Sequence, residues 1–514
     1  MTRARRLALL CTALRFAALR FTLLRFAALR FTLLRFAALL FTLLAGAQTA
    51  TAEEHVLLIG GGFRPEGSQV QIELNVRWIQ EILVAKKPGV PVETYFAAGD
   101  RPEVRDVVEN RAPTETGSVT APLARLFGVY NRNSEIYFHS RVERLSGGTD
   151  ATLLVSRLTQ LFKGASAKDQ ILFIYNGHGS GDAENTAKNA LRLWRDERLS
   201  VEELGALLDL LPPTARVRMF FPQCFAGGFA RLIHPGTRRT RAVVEGDRCG
   251  FFAQDELLES EGCTPSVDVD DYRDYSTYFF SALVGQTRAG KPLAFEPDRN
   301  RDGKVTLREA HFYSMIAADS ADLPFSTSEA FLERWQPWHA RWSGRRGSVK
   351  NVYAELAEEL AKKLTQKGDA EAFEAALAAR EQAEQSRARI ATQRATLKVE
   401  INALSEALRA AAEERWPGAF RAHTQSFAEF YQQDLAAASH FIAGEPRYAE
   451  LAAKQDEDRR LELEDLAERR RAANLHRYLR LRRLAQLWEL FDRTADDSAR
   501  AILTRLVACE DSTL

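Results

Sequence analysis

The chain lacks an excess of charge of either sign. Its 70 Lys and Arg stand against 69 Asp and Glu, a formal net charge of +1 over 514 residues. That balance supplies no general attraction toward nucleic acid or an anionic membrane surface, so neither is expected as a partner. Phosphate-loop signals are missing as well. The apolar strand His55 to Ile59 runs into Gly60, Gly61 and Gly62, but neither GxxxxGK[ST] nor GxGxxG spacing accompanies them. The glycines therefore read as a tight strand-to-helix turn. Cysteine is scarce, with 5 in the whole chain. What is abundant is apolar side chain: 46% of the residues are hydrophobic, ample for a sizeable core. The length suggests about two to four domains.

The N-terminus also lacks a long uncharged run until late. A ten-residue unit, FAALRFTLLR, occupies Phe16 to Arg25 and again Phe26 to Arg35, so arginine recurs every five residues. A third copy starts at Phe36, and Leu40 replaces its arginine, leaving Phe36 to Leu44 free of charge. Ala45-Gly46-Ala47 and Ala50-Thr51-Ala52 follow, both small-x-small sites of the kind that end a signal peptide. Residues 1 to 52 are thus expected to be a secretory signal lengthened by duplication, and the mature chain to be periplasmic or secreted. The alternatives are an uncleaved anchor and an amphipathic membrane helix. Export would leave Cys224, Cys249, Cys263 and Cys509 in an oxidising compartment. Cys249 and Cys263 flank one polar loop, so a disulfide between them is expected, the alternative being two unpaired thiols. Cys509 would then be left over and free to pair between chains.

Strands and helices alternate after residue 53. Val70 to Val84 has helical spacing, Val90 to Phe96 reads as a strand, and Ala97 to Gly148 as a long surface loop with a short strand near Ile136 to Phe138. Thr149 to Phe162 and Ser200 to Leu211 read as helices, the second opened by a Ser200-x-x-Glu203 capping box. Cys249 to Ala253 reads as a strand and Tyr278 to Val284 as a helix. Two further strands carry chemistry. Ile171 to Tyr175 runs into a Gly-rich turn bearing His178, and Val217 to Phe221 stops at Pro222 and delivers Cys224 just before Gly227 and Gly228. Parallel strands ending side by side would bring His178 and Cys224 together at the carboxyl edge of a sheet, where open α/β folds put their sites. An unperturbed thiol is only slightly ionised at neutral pH, and a nearby imidazole activates it. The backbone N–H groups of Gly179 and Cys224 are the candidate oxyanion donors.

An apolar strand ending in His-Gly, followed by a second ending in a cysteine turn, resembles the caspase and legumain clan of cysteine peptidases, of a type that bacteria export. The resemblance spans roughly Glu53 to Trp342. It implies a caspase-like three-layer α/β/α sandwich with a mostly parallel sheet. His178 matches the catalytic histidine, Gly179 its following glycine and Cys224 the nucleophile of a cysteine-type endopeptidase acting through a thioacyl intermediate. No cofactor is expected in catalysis. Pro222 stands where many members have an acidic residue or glutamine, with Gln223 directly before the nucleophile, so Gln223 is a candidate substrate contact. Gln254, Asp255 and Glu256 occupy the stretch that lines the clan's substrate pocket and would favour a basic side chain. Asn176 is the candidate support for the histidine turn. The rivals are a legumain-like ligase and a non-catalytic binding protein that keeps the fold.

A second motif lies at Asp298 to Glu309, DRNRDGKVTLRE. Asp298, Asn300, Asp302, the carbonyl of Lys304, Thr306 and Glu309, with Gly303 at the turn, match the twelve-residue EF-hand loop position by position. A single structural Ca2+ is expected there. Trp335, Trp338 and Trp342 are expected to pack in the core, and 343 to 351 to form a linker. Beyond it, residues 352 to 514 are helical in pattern. Val352, Leu356, Leu360 and Leu364 are spaced by four, and Ile390, Leu397, Ile401, Leu404 and Leu408 fall at heptad places. Breaks at Pro417-Gly418 and Gly444 to Pro446 give about four helices, an antiparallel bundle or short coiled coil. This region is expected to serve a protein partner or self-association, and its basic runs, Arg469 to Arg471 and Arg480 to Arg483, to be solvated faces.

Overall fold

The computed structural model describes residues 52–110, 121–127, 135–238, 242–264, 266–335, 350–365, 369–417, 421 and 424–514. The expected signal core, Trp338, Trp342 and most of the expected linker lie outside the described residues. Glu53–Leu514 forms one compact unit.

Its centre is a seven-stranded sheet. Strands β1 (Glu54–Gly61), β2 (Val92–Phe96), β5 (Leu145–Gly147), β6 (Gln170–Gly177), β10 (Arg216–Phe221), β11 (Arg248–Phe252) and β12 (Phe325–Ser326) lie in the order β12-β11-β10-β6-β1-β2-β5, while β7 (Gly179–Ser180), β8 (Ala190–Arg192) and β9 (Arg198–Ser200) form a small separate sheet. Every pairing is parallel except β11 with β12. Parallel strands covered on both faces read as unbroken apolar runs. β1 shows it: Val56 and Leu58 pack on one face, Leu57 and Ile59 on the other, and none is more than 1% exposed. Helices α1 (Val70–Lys86), α5 (Tyr275–Val284) and α6 (Leu307–Ala317) cover the first face, and α3 (Ala151–Gly164) and α4 (Val201–Leu208) the second. The Ser200–Glu203 capping box forms as expected and opens α4. Among the described residues, no helix is long and apolar enough to cross a membrane.

Two expectations need correction. The stretch 97–148 carries the expected short strand near Ile136 to Phe138, but the rest of it is not a plain surface loop. It pairs β3 (Val107–Asn110) with β4 (Glu135–Phe138), includes α2 (Ala121–Leu126) and adds β5 to the sheet edge. Buried Asp106 ties it down, accepting the backbone N–H groups of Ala98 at 3.2 Å and Ser140 at 2.7 Å. A polar residue that organises a segment by long-range hydrogen bonds leaves no local apolar period to read. The second correction concerns the cysteines. Cys249 bonds Cys509 rather than Cys263, and Cys224 and Cys263 are free thiols. Cys249 lies three residues before the carboxyl end of β11 at Phe252, roughly 10 Å at strand rise. The loop with Cys263 sits beyond that end.

Thr327–Trp335 forms α7. It is followed, among the described residues, by α8 (Val352–Thr365), α9 (Asp369–Arg415), α10 (Gln425–Gln433), α11 (Leu435–Gly444), α12 (Pro446–Thr494) and α13 (Asp497–Glu510). The heptad places on α9 mark an antiparallel pair with α12. The ion pairs Arg387–Asp465, Arg394–Asp458 and Lys454–Glu400 step in opposite directions along the two helices. These helices are built into the α/β body. Besides the disulfide, buried Glu510 on α13 accepts from Thr327 Oγ1 at 2.7 Å, Ser328 N at 2.6 Å and Ser326 Oγ at 3.0 Å. The basic runs are not wholly solvated: Arg470 pairs with Glu261 and Arg480 with Glu333. Trp335 packs on Phe491 of α12, so core packing holds for that tryptophan.

Candidate active site

The parallel register sets the site. Phe220 of β10 lies opposite Ile174 of β6, and His178 and Cys224 each follow four residues later, in the turns beyond the carboxyl ends of the two strands. The two turns meet closely. A Cβ added to Gly179 would stand 1.9 Å from the carbonyl oxygen of Cys224, so only glycine allows this approach. Tyr175 braces the histidine turn, its hydroxyl lying 2.8 Å from the His178 carbonyl and 2.7 Å from that of Arg192.

The ring of His178 is fixed from the side opposite the thiol strand. Its Nε2 lies 2.7 Å from the Gly67 carbonyl and 2.9 Å from Gln69 Oε1, and Phe63 meets the ring edge-on. Oxygens of these kinds only accept, so Nε2 carries the hydrogen and Nδ1 of the neutral ring carries the lone pair. Asn176, expected in this role, points elsewhere. Its amide reaches Ser276 Oγ at 3.3 Å within a buried network with Asn75 and Asp274. Gly67 and Gln69 precede α1 and carry no local signature that would have marked them.

Cys224 sits under the loop that follows β11. Ser260 Oγ donates to its Sγ at 3.6 Å, and the thiol points at the Ser260 carbonyl at 3.8 Å. Burial pushes the Cys224 thiol up, with the charges of Glu259 and Asp322 adding to it and the Ser260 contacts opposing. Burial pushes the His178 ring down, Arg192 adds to this, and the Gly67 carbonyl opposes. Both shifts favour a neutral thiol beside a neutral imidazole at rest. Such a pair acts when the lone pair on the ring takes the thiol proton as sulfur attacks.

The loop itself is held from three sides. Asp322 accepts from the backbone N–H of Glu261 at 2.6 Å and of Tyr275 at 3.1 Å, and Arg470 Nε of α12 meets Glu261 Oε1 at 2.9 Å. Gln254 is buried and braces the loop through the carbonyls of Glu259 and Ala321, so it faces inward. Asp255 is exposed and accepts from the Leu257 N–H, while Glu256 accepts from Thr186 Oγ1. Gln223 is 2% exposed, and neither amide atom has a hydrogen-bond partner among the described residues. Its Cγ lies 2.9 Å from where a Cβ on Gly179 would be.

The loop at 298–309 lies apart from this chemistry. Asp298 accepts from Asp302 N at 3.2 Å and Gly303 N at 2.8 Å, and Gly303 takes a φ of +84°. Glu309 Oε1 accepts from Arg299 N at 2.9 Å and its Oε2 from Thr306 N at 3.0 Å. Thr306 and Glu309 also make the capping box of α6, a pattern legible in Thr-x-x-Glu. Among the described residues no three His, Cys, Asp or Glu side chains are grouped as a metal site. The donor chemistry still fits a hard cation, since three carboxylates, the Asn300 amide and the Lys304 carbonyl keep further lone pairs beyond these hydrogen bonds.

No family model matches the chain, and no curated protein matches it. Among solved structures, it is similar to the crystal structure of a protein from Geobacter sulfurreducens at 14% identity, over 45% of this chain and 82% of that one. The TM-score is 0.27, too low to assign a common fold.

Proposed function

We propose that the chain is a caspase-like cysteine endopeptidase that hydrolyses peptide bonds through Cys224 and His178. The observation that supports this most is the meeting of the two turns in parallel register, with His178 held by Nε2 so that its lone pair is on Nδ1. In the proposed reaction, Nδ1 takes the thiol proton and Sγ attacks the scissile carbonyl. The oxyanion is held by backbone N–H groups at Gly179 and Cys224, and the imidazolium then protonates the leaving amine. Water, activated by the same ring, hydrolyses the thioester.

In this reading Asp255 and Glu256, at the rim of the loop after β11, draw a basic side chain to the position before the scissile bond, and Gln223 lies beneath it. The chain acts after export, outside the cytoplasm. Ca2+ at Asp298, Asn300, Asp302, Lys304, Thr306 and Glu309 braces α6, and the C-terminal helices offer a surface to a protein partner or a second copy. Digestion of a mixed peptide library, with and without an added amine nucleophile, tests the reaction. Free carboxyl termini after Lys or Arg support it. Products carrying the amine indicate ligase chemistry, and an uncut library refutes both.

A further inference from the structure

With Cys249 and Cys509 bonded to each other, two free thiols remain among the described residues: Cys224 in the turn after β10, and Cys263 in the loop after β11 that covers it. Ser260 touches the Sγ of Cys224, and Cys263 follows three residues later. Between them the backbone reverses, with φ of +149° at Gly262 and +62° at Cys263. The next residue, Thr264, is bonded through its N–H and carbonyl to Gln71, two positions beyond the Gln69 that holds His178. Cys263 therefore lies between the clamp on the nucleophile and the clamp on the histidine. Both residues are partly exposed, so each borders solvent.

We propose that Cys224 and Cys263 form a reversible oxidation site for a hydroperoxide, in which Cys263 resolves a sulfenic acid formed on the nucleophile. The Cys224 thiolate attacks the O–O bond, sulfur gives up two electrons and gains oxygen, and the displaced alkoxide or hydroxide takes a proton. Sγ of Cys263 then attacks the Cys224 sulfur. The S–O bond breaks, and the hydroxyl leaves as water with the proton from Cys263. The sum is dithiol plus hydroperoxide to disulfide, alcohol and water. An external thiol restores the pair by exchange. The two groups sense each other electrostatically: burial pushes the Cys263 thiol well up, and negative charge on Cys224, Asp274 and Asp322 adds to it. Few thiolates are present at neutral pH, so the oxidation is slow and quickens as pH rises.

The loss of peptidase activity on oxidation rests on the proposed function, whereas the cross-link does not. The test treats the full chain with hydrogen peroxide, alkylates free thiols, digests without reduction and maps the peptides by mass. The expected result is a Cys224–Cys263 peptide pair, reversed by mild reductant with the buried Cys249–Cys509 bond intact. Cys263→Ser should instead carry Cys224 to sulfinic acid, which reductant does not reverse, so that labelling of Cys224 by a thiol probe is lost for good. A cross-link in a protein that cuts no peptide supports the oxidation site and removes only the peptidase. The proposal is overturned if wild type yields no such pair and Cys224 over-oxidises as fast as in Cys263→Ser.

Discussion

Gly179→Ala puts a single methyl group between the two turns of the candidate site. The new Cβ would lie 1.9 Å from the Cys224 carbonyl oxygen, where ordinary contact begins at 3.4 Å, so the turns must part by about 1.5 Å (3.4 − 1.9). Misplacing reacting groups by about 1 Å costs on the order of 100-fold in rate, and overpacking of this kind costs about 1–3 kcal/mol of stability. The variant is therefore expected to fold, to melt a few degrees lower, and to lose at least about 100-fold in kcat/KM on a peptide substrate. Labelling of Cys224 by an electrophilic probe should slow with it. Gly164→Ala, whose Cβ would meet nothing within 4 Å, is the matched control and should leave both unchanged. Cleavage and labelling at wild-type rates in Gly179→Ala would refute the face-to-face arrangement.

Other expectations follow from the same geometry. A general-base pair needs His178 neutral and Cys224 protonated. With the ring pushed down and the thiol pushed up, kcat/KM should hold a broad plateau, its acid limb lying below the ordinary imidazole range and its alkaline limb above the ordinary thiol range; a narrow bell between those two ordinary ranges would contradict this. Glu510→Ala strands the donors of Ser326, Thr327 and Ser328 and should cost about 2–3 kcal/mol in urea unfolding, with no loss beyond about 0.5 kcal/mol weighing against the anchor. Ca2+ at about 100 times its Kd should add about 2.7 kcal/mol, and Glu309→Gln should abolish the gain; equal melting with calcium and with chelator would remove the metal.

The strands were legible because buried parallel strands leave apolar runs, continuous in Ile171 to Tyr175 and broken only by Arg218 in Val217 to Phe221. The candidate nucleophile and base were legible because each follows such a run, His178 between two glycines and Cys224 three residues before Gly227. The clamp on His178 was not, because one half is the main-chain carbonyl of Gly67, which has no residue signature, and the other is a lone Gln69 side chain that belongs to no motif. Nor was the Cys249–Cys509 pairing, which joins residues 260 apart in sequence and depends on α13 docking beside β11. Closeness in sequence suggested Cys263 as the partner, but strand length separates the two. The stretch from Gln254 to Glu256 read as the lining of a substrate pocket, and nothing in it announced that Glu261 further along the same loop pairs with Arg470 of α12, a contact that spans 209 positions.

The most direct test of the peptidase reading compares wild type, Cys224→Ala and His178→Ala in one experiment: cleavage of a mixed peptide library, with mass analysis for an acyl group trapped on the enzyme. The account predicts cleavage and an adduct on Cys224 in wild type, neither in Cys224→Ala, and strongly reduced labelling and cleavage in His178→Ala. Cleavage that survives Cys224→Ala, or a wild-type Cys224 that neither labels nor acylates while the library stays intact, would contradict it.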